Sequence, residues 1–332
     1  MQRPQPVELT ILVVSYNTRA LTLAALDSIA AETRQTRYRV RVVDNASSDG
    51  SAEALRNHPT APDVIASAEN LGFARANNRA ALGVDSDYIL LLNPDTIVRD
   101  GAIDRLMEFA RFAPEAGIWG GRTLFADGQL NPSSCWGRMT PWNLLCRATG
   151  LTGLLPRVAL FNGEAYGGWQ RDHSAPVDIV SGCFLLIKRE LWERLGGFDP
   201  IFFMYGEEAD LCLRARRHGA RPMITPHATI IHYGGASEPA RAAKMVRLLA
   251  AKTTLIRRHW HPLMRPVGYA LMAAWPLTRV LALTVANRLG PSPERRNAAA
   301  TWWEIWQKRA VWLPGYATPA AAPHQVLEAV TP

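Results

Sequence analysis

The feature that most constrains this chain is an alternation. Short apolar runs at residues 10–15, 40–43, 64–66 and 88–92 are separated by stretches of helical spacing at 19–33, 73–82 and 100–112. A strand, a crossover helix and the next strand return to one sheet in parallel and with a right-handed connection. The pattern predicts an α/β fold with a mainly parallel central sheet flanked by helices. Ligands of such sheets bind beyond the carboxyl ends of the strands. Polar groups stand there: Ser15-Tyr16-Asn17 after the first run, Asp44-Asn45 after the second and Asn93-Pro94-Asp95 after the fourth.

Further on, residues 128–176 are rich in Gly, Pro, Trp and Ser and read as long irregular loops. Order resumes at 177–188, as two strand pieces broken at Ser181-Gly182. A helix over 189–195 closes on Gly196-Gly197. Residues 207–218 read as a helix with acids in its first turn and bases in its last, as the macrodipole favours. A short strand is expected at 229–232, and a basic helix from 238 to 259. Residues 266–278 carry no charge, Arg279 interrupts, and an uncharged stretch follows to Arg288. This falls short of the roughly 18–20 apolar residues of a spanning helix. With Tyr269, Trp275 and flanking arginines it reads as a helix in a membrane interface, the alternative being a cap packed on the α/β domain. The expected organisation is an α/β domain over 1–240, a basic helical extension over 241–315, and a disordered tail over 316–332.

Charge supports that division. Residues 241–332 hold 13 Lys/Arg and 3 Asp/Glu, a net of +10, whereas the chain as a whole carries +8. The extension thus suits an anionic surface. It has no helix-turn-helix or zinc-finger signature, which argues against nucleic acid. Cys135, Cys146, Cys183 and Cys212 form no Cys-x-x-Cys pair. That excludes a zinc ribbon and fits a reducing compartment. Residues 1–8 form no apolar signal segment, so a cytoplasmic location is expected.

Three constellations could carry chemistry. Asp95, on a turn just past an apolar strand, could hold Mg²⁺ or Mn²⁺ together with a diphosphate, or could simply cap a turn. Glu207 and Glu208 follow the aromatic run Phe202-Phe203-Met204-Tyr205. Such surroundings can lift a carboxylate toward a useful general base, although acids at a helix start can equally serve the dipole. His232 ends an apolar strand before Gly234-Gly235 and is either a metal ligand or a structural histidine. No glycine occurs in Ser15-Tyr16-Asn17-Thr18-Arg19, and no Walker A pattern occurs anywhere. This counts against a nucleotidyltransferase and an NAD-binding domain. A non-catalytic basic protein binding membrane or nucleic acid is the other alternative.

Taken together, the stretches Val13 to Asn17, Val43 to Gly50, Asn70 to Asn78, Leu92 to Asp95, Ser181 to Phe184, Gly196 to Asp199, Phe202 to Arg214 and Ile231 to Gly235 resemble glycosyltransferase family 2 of the GT-A fold, in its bacterial rhamnosyltransferase-like branch. The resemblance spans about residues 8–240. It implies an inverting, metal-dependent transfer of a sugar from a nucleotide diphosphate to an acceptor hydroxyl. It places Asp44 on the pyrimidine base, Ser15 and Tyr16 beneath the nucleotide, and Asn70, Arg75 and Asn78 along the cleft. Asn93 and Asp95 fall on the Asp-x-Asp motif, with Asp95 as metal carboxylate and His232 assisting. Glu208 falls on the catalytic acid position. Asn93 departs from the common first Asp, and Glu208 from the common Asp, which leaves Glu207 as a second base candidate. The branch further implies dTDP-L-rhamnose as donor (UDP-sugars being the alternative) and a lipid-linked glycan as acceptor in cell-envelope polysaccharide synthesis. The expected location is peripheral, at the cytoplasmic face of the inner membrane, with a homodimer as a possible state.

Overall fold

The computed structural model describes residues 7–234 and 241–317. Its strands, in chain order, are β1 (Leu9–Ser15), β2 (Tyr38–Asp44), β3 (Asp63–Ala66), β4 (Tyr88–Leu92), β5 (Thr96–Val98), β6 (Ile118–Leu124), β7 (Cys135–Trp136), β8 (Ala175–Pro176), β9 (Ile179–Val180), β10 (Phe184–Lys188) and β11 (Met223–His232). Helices α1 (Arg19–Glu32), α2 (Ser51–Arg56), α3 (Gly72–Ala81) and α4 (Ala102–Phe112) belong to the first half. In the middle come α5 (Pro141–Thr149), α6 (Leu151–Leu154), α7 (Arg189–Leu195) and α8 (Glu207–Arg217). Last are α9 (Arg241–His259), α10 (Arg265–Leu289), α11 (Pro293–Gln307) and α12 (Arg309–Trp312).

The main sheet runs β3-β2-β1-β4-β10-β6-β11-β5, with β8 beside β11. β3, β2, β1, β4, β6 and β11 point one way, while β10, β5 and β8 oppose them. The expected α/β fold with a mainly parallel sheet is therefore present. Alternate strand residues feed two apolar cores on opposite faces: Leu12, Leu91 and Leu185 on one, Ile11, Leu90 and Leu186 on the other. Strands buried on both faces explain the unbroken apolar runs of the sequence.

Several expectations need correction. Residues 128–176 are not irregular throughout. Pro141 opens α5, the Thr140 hydroxyl accepts from Asn143 N at 3.1 Å, and Gly150 closes it at φ 94°. Leu144 and Ala148 of α5 pack with Met272 and Trp275 of α10 in a third core. That partner lies far along the chain, so local composition does not reveal the helix. The two pieces of 177–188 form β9 and β10 in different sheets. β11 starts at Met223, and β5 and β6 are additional strands. The apolar stretch from 266 is longer than expected: Pro262–Leu289 is long and apolar enough to cross a membrane, and it is the one such helix among the described residues. It packs on α5 and α11, as a cap would, yet little of it is buried. Tyr316, assigned to a disordered tail, is packed: its ring meets Phe202 edge-on and its amide donates to Thr254 Oγ1 at 2.8 Å. Residues 235–240 and 318–332, including Gly235, the expected helix start at 238 and the rest of the tail, lie outside the described residues.

Candidate active site

The register of the sheet assembles the site. Ser15 lies opposite Asp44, and Val13 opposite Leu92, so β1, β2 and β4 end side by side. Neighbouring strands are ~4.8 Å apart, which sets Asp44 and the turn after β4 at about 10 Å, either side of β1. The loop after β1 is tied to the loop after β2: Asn17 N donates to Ser47 Oγ at 3.0 Å, and Ser48 N to Asn17 Oδ1 at 2.8 Å. On the other side, Asn93 N donates to Cys183 O at 3.1 Å and Tyr233 N to Asp95 O at 3.0 Å. His232 pairs with Thr96 and so reaches the same edge from β11.

Here buried polar atoms lack partners. Asp44 Oδ2 accepts from Ser47 N at 3.4 Å, but Asp44 Oδ1 is buried without a partner. His232 Nε2 stands 3.3 Å from Asp95 Oδ1 and 3.3 Å from Asn93 Nδ2. His232 Nδ1 and Asn93 Oδ1 have none. Burial works against a charged His232, but Cys183 and Asp95 beside it raise its pKa to about 10. Native proteins rarely leave such atoms unpaired, so several at one edge point to a ligand or ion.

Glu208 joins this edge from α8. Gly72 holds φ +74°, and a Cβ there would come within 2.3 Å of Phe203 O; Phe73 N donates to that same oxygen at 2.8 Å. This close approach brings the start of α3 against the segment leading into α8. Tyr205 at φ 70° and Gly206 at φ 92° then turn the chain into the helix. The left-handed conformation is costly for tyrosine, and such strain concentrates at functional sites. A Cβ on Gly182 would lie 3.8 Å from that of Glu208, and the next residue, Cys183, receives the Asn93 amide. Glu208 Oε2 and Glu207 Oε2 are both buried without partners. Burial raises the Glu208 carboxyl above the ordinary range. Burial, and then the Glu208 charge, push Glu207 well above it. Only Glu208 of the two lines a cavity of about 750 Å³ between α8 and α9.

Not every expected residue faces the cleft. The Ser15 hydroxyl is held by Thr18 and Thr22 at 3.2 and 3.0 Å. Asn70 Oδ1 accepts from Gly72 N and Asn45 Nδ2, both at 2.9 Å, and so shapes the turn. Asn78 donates to Phe198 O at 2.7 Å and accepts from Phe198 N at 2.9 Å, clamping the Gly197 turn with both ends of its amide. Tyr16 and Arg75 are exposed. No group of three or more His, Cys, Asp or Glu side chains converges on a point among the described residues. Asp95 and, once metal binding displaces its proton, His232 could supply two ligands, which suits a cation completed by diphosphate and water.

Two features escaped the sequence reading. Arg122 on β6 pairs with Thr229, and its Nε is buried without a hydrogen bond. The register of β6 on β10, continued, brings Arg122 level with Cys183. A lone charge within the otherwise apolar run 118–124 was the available signal. The second feature is Asp210, fully buried two residues after Glu208. Its carboxylate binds Arg214 Nε at 2.6 Å, His259 Nε2 at 2.8 Å and Arg258 Nε at 3.2 Å. Burial opposes ionisation, but His259 and Arg214 hold the Asp210 pKa down at about 2. The helix carrying Glu208 is thereby fastened to α9.

Comparison with known proteins bears on family and fold. The family described as "Glycosyl transferase family 2" matches residues 10–173. The N-acetylglucosaminyl-diphospho-decaprenol L-rhamnosyltransferase of Mycobacterium tuberculosis is 29% identical over 241 residues, covering 68% of this chain and 76% of its own. The rhamnosyltransferase WbbL of Escherichia coli is 28% identical over 236 residues, covering 67% and 82%. The mannosyltransferase PcManGT of Pyrobaculum calidifontis, solved with GDP-Man and Mn²⁺, superposes with a TM-score of 0.58 over 93% of this chain and 91% of its own, at 18% identity. At that identity the likeness is one of fold, and the fold is GT-A.

Proposed function

The chain belongs to glycosyltransferase family 2, in its rhamnosyltransferase-like branch, and from that premise we propose an inverting, metal-dependent transfer of a hexose from a nucleotide diphosphate to a lipid-linked acceptor. The observation that carries the reading is the set of unpaired buried atoms of Asp44, Asn93, Glu208 and His232 gathered at one sheet edge. Asp44, beside the joined loops after β1 and β2, holds the pyrimidine base. Asp95 and, in its neutral form, His232 would hold a divalent cation, Mg²⁺ or Mn²⁺, whose charge would offset that growing on the departing diphosphate. Arg122 adds a fixed positive charge at that position.

Glu208 is the base. Burial raises both carboxyls, and of the two only Glu208 lines the cavity from which an acceptor hydroxyl can approach. The acceptor hydroxyl gives its proton to Glu208 while its oxygen attacks the anomeric carbon. The bond from that carbon to the diphosphate oxygen breaks, and its electron pair leaves with the nucleotide. One displacement from the opposite face inverts the anomeric centre.

By analogy with the relatives, the donor is dTDP-L-rhamnose and the acceptor a sugar on a polyprenyl diphosphate. Leu277, Leu281, Val285 and Leu289, exposed at four-residue spacing on α10, support peripheral attachment to a membrane, with neighbouring arginines favouring its anionic face. The first test is thermal: dTDP or UDP with Mn²⁺ should raise the melting temperature by mass action, and Asp95→Asn should abolish the metal-dependent part. No rise with any nucleotide diphosphate and metal would remove the reading.

A further inference from the structure

The cavity that Glu208 lines does not include Asp44. The 750 Å³ cavity is walled by α8, α9, the 136–141 segment, the turn before α10 and Trp275 within that helix. On α8 its lining residues Ala209, Leu213, Arg216 and Arg217 follow i, i+4, i+7 and i+8 spacing, one face of a helix. The opposite wall is apolar and aromatic, with Met245 and Leu248 from α9 and Trp260 and Trp275 around it.

The charges of the lining are not all balanced. Arg147 and Lys252 both bind Glu164, and Arg216 binds Asp178 at 2.5 Å. Arg217 meets only the neutral face of His259, at Nδ1, 3.0 Å away. Arg138 donates its backbone amide to Asp178 at 2.9 Å, but among the described residues neither the Arg138 nor the Arg217 guanidinium pairs with a carboxylate, and both residues line the cavity. At 1.5 Å per residue, Arg217 stands about 13 Å along the helix from Glu208. That suits a ligand presenting a hydroxyl to Glu208, an anion farther along α8, and an apolar chain beyond.

The mouth has a matching neighbour. Met264 and Trp275 touch the cavity, while Leu277 and Leu281, a turn or two further along α10, are exposed. An apolar ligand leaving a lipid surface at that stripe would meet the cavity next.

Resting on the acceptor reading above, we propose that this cavity is the binding site of the lipid diphosphate: Arg138 and Arg217 grip the diphosphate, and the Met245, Leu248, Trp260 and Trp275 wall takes the first isoprene units. The site meets the nucleotide edge at Glu208 and otherwise requires α9 and α10.

Farnesyl diphosphate is the probe, titrated without metal into the full chain and followed by tryptophan fluorescence, since Trp136, Trp260 and Trp275 line the cavity. Binding should be at least about tenfold tighter than for pyrophosphate or farnesol alone, because each supplies half of the contacts. Arg138→Ala with Arg217→Ala should weaken farnesyl diphosphate about tenfold or more and leave farnesol unchanged. Met245→Glu should weaken both. In each variant, stabilisation by dTDP and Mn²⁺ serves as the control for folding and for the nucleotide edge. Equal binding of pyrophosphate and farnesyl diphosphate, or unchanged affinity in the paired arginine variant, overturns the site. Tight, arginine-dependent binding in a protein that no nucleotide diphosphate stabilises would keep the site and defeat the transferase reading instead.

Discussion

The sheet and the helical cap solve the same problem differently. The sheet buries its apolar residues on both faces and turns polar groups to one edge. The cap encloses a small core around Leu249, Met272, Trp275 and Trp312, yet leaves Leu277, Leu281, Val285 and Leu289 in the open. A soluble domain seldom exposes a continuous apolar stripe unless something covers it. The sheet is thus finished by its own packing; on the proposed reading the cap is finished by a membrane, so that chemistry belongs to the first and location to the second.

That division can be broken by experiment, most forcefully at the sheet edge. Glu208→Gln should lower turnover by about 10²–10⁴-fold, as loss of a general base does, with dTDP and Mn²⁺ binding unchanged. Wild-type turnover in that variant would move the chemistry elsewhere. The cap should respond in a different currency. Leu281→Glu with Val285→Glu should reduce co-sedimentation with anionic vesicles by about tenfold or more, with melting temperature and transfer to a soluble acceptor unchanged. A fall in melting temperature would instead mean that the stripe is part of a core.

The smallest effect separates the paired carboxyls. Folding raises the Glu207 pKa, so the folded state binds the proton more tightly than the unfolded chain. Its stabilising contribution is complete at acid pH and lost as pH rises through the folded value. Glu207→Gln removes that loss, so its melting temperature should gain on wild type between about pH 4 and pH 8, starting near the ordinary glutamate pKa. An advantage that shrinks with pH would show that folding lowers the Glu207 pKa instead of raising it.

The sequence made the sheet edge readable because each strand end advertises itself: an apolar run stops, and Asp44, Asn93 or His232 follows. It misled where residue identity says nothing about orientation. Asn78 and Ser15 sit in the right stretches, yet their side chains are held by Phe198, Thr18 and Thr22. It was silent where contacts are long-range. α5 is defined by its packing on α10, and Arg122 gains meaning only from the register that sets it beside Cys183. Arg258 and His259 looked like ordinary basic residues because their partner Asp210 lies 48 and 49 positions earlier.

That last contact bears on how the enzyme can be divided. Asp210 keeps its charge in a dry environment through Arg214, Arg258 and the Nε2 of His259, and two of these partners come from α9. A chain cut before α9 would strand a buried anion with Arg214 alone, a severe penalty in low dielectric. The segment before residue 240 is therefore no minimal enzyme, and in descent the two parts have to be inherited together: a recombination that exchanged one cap for another would have to carry its own answer to Asp210.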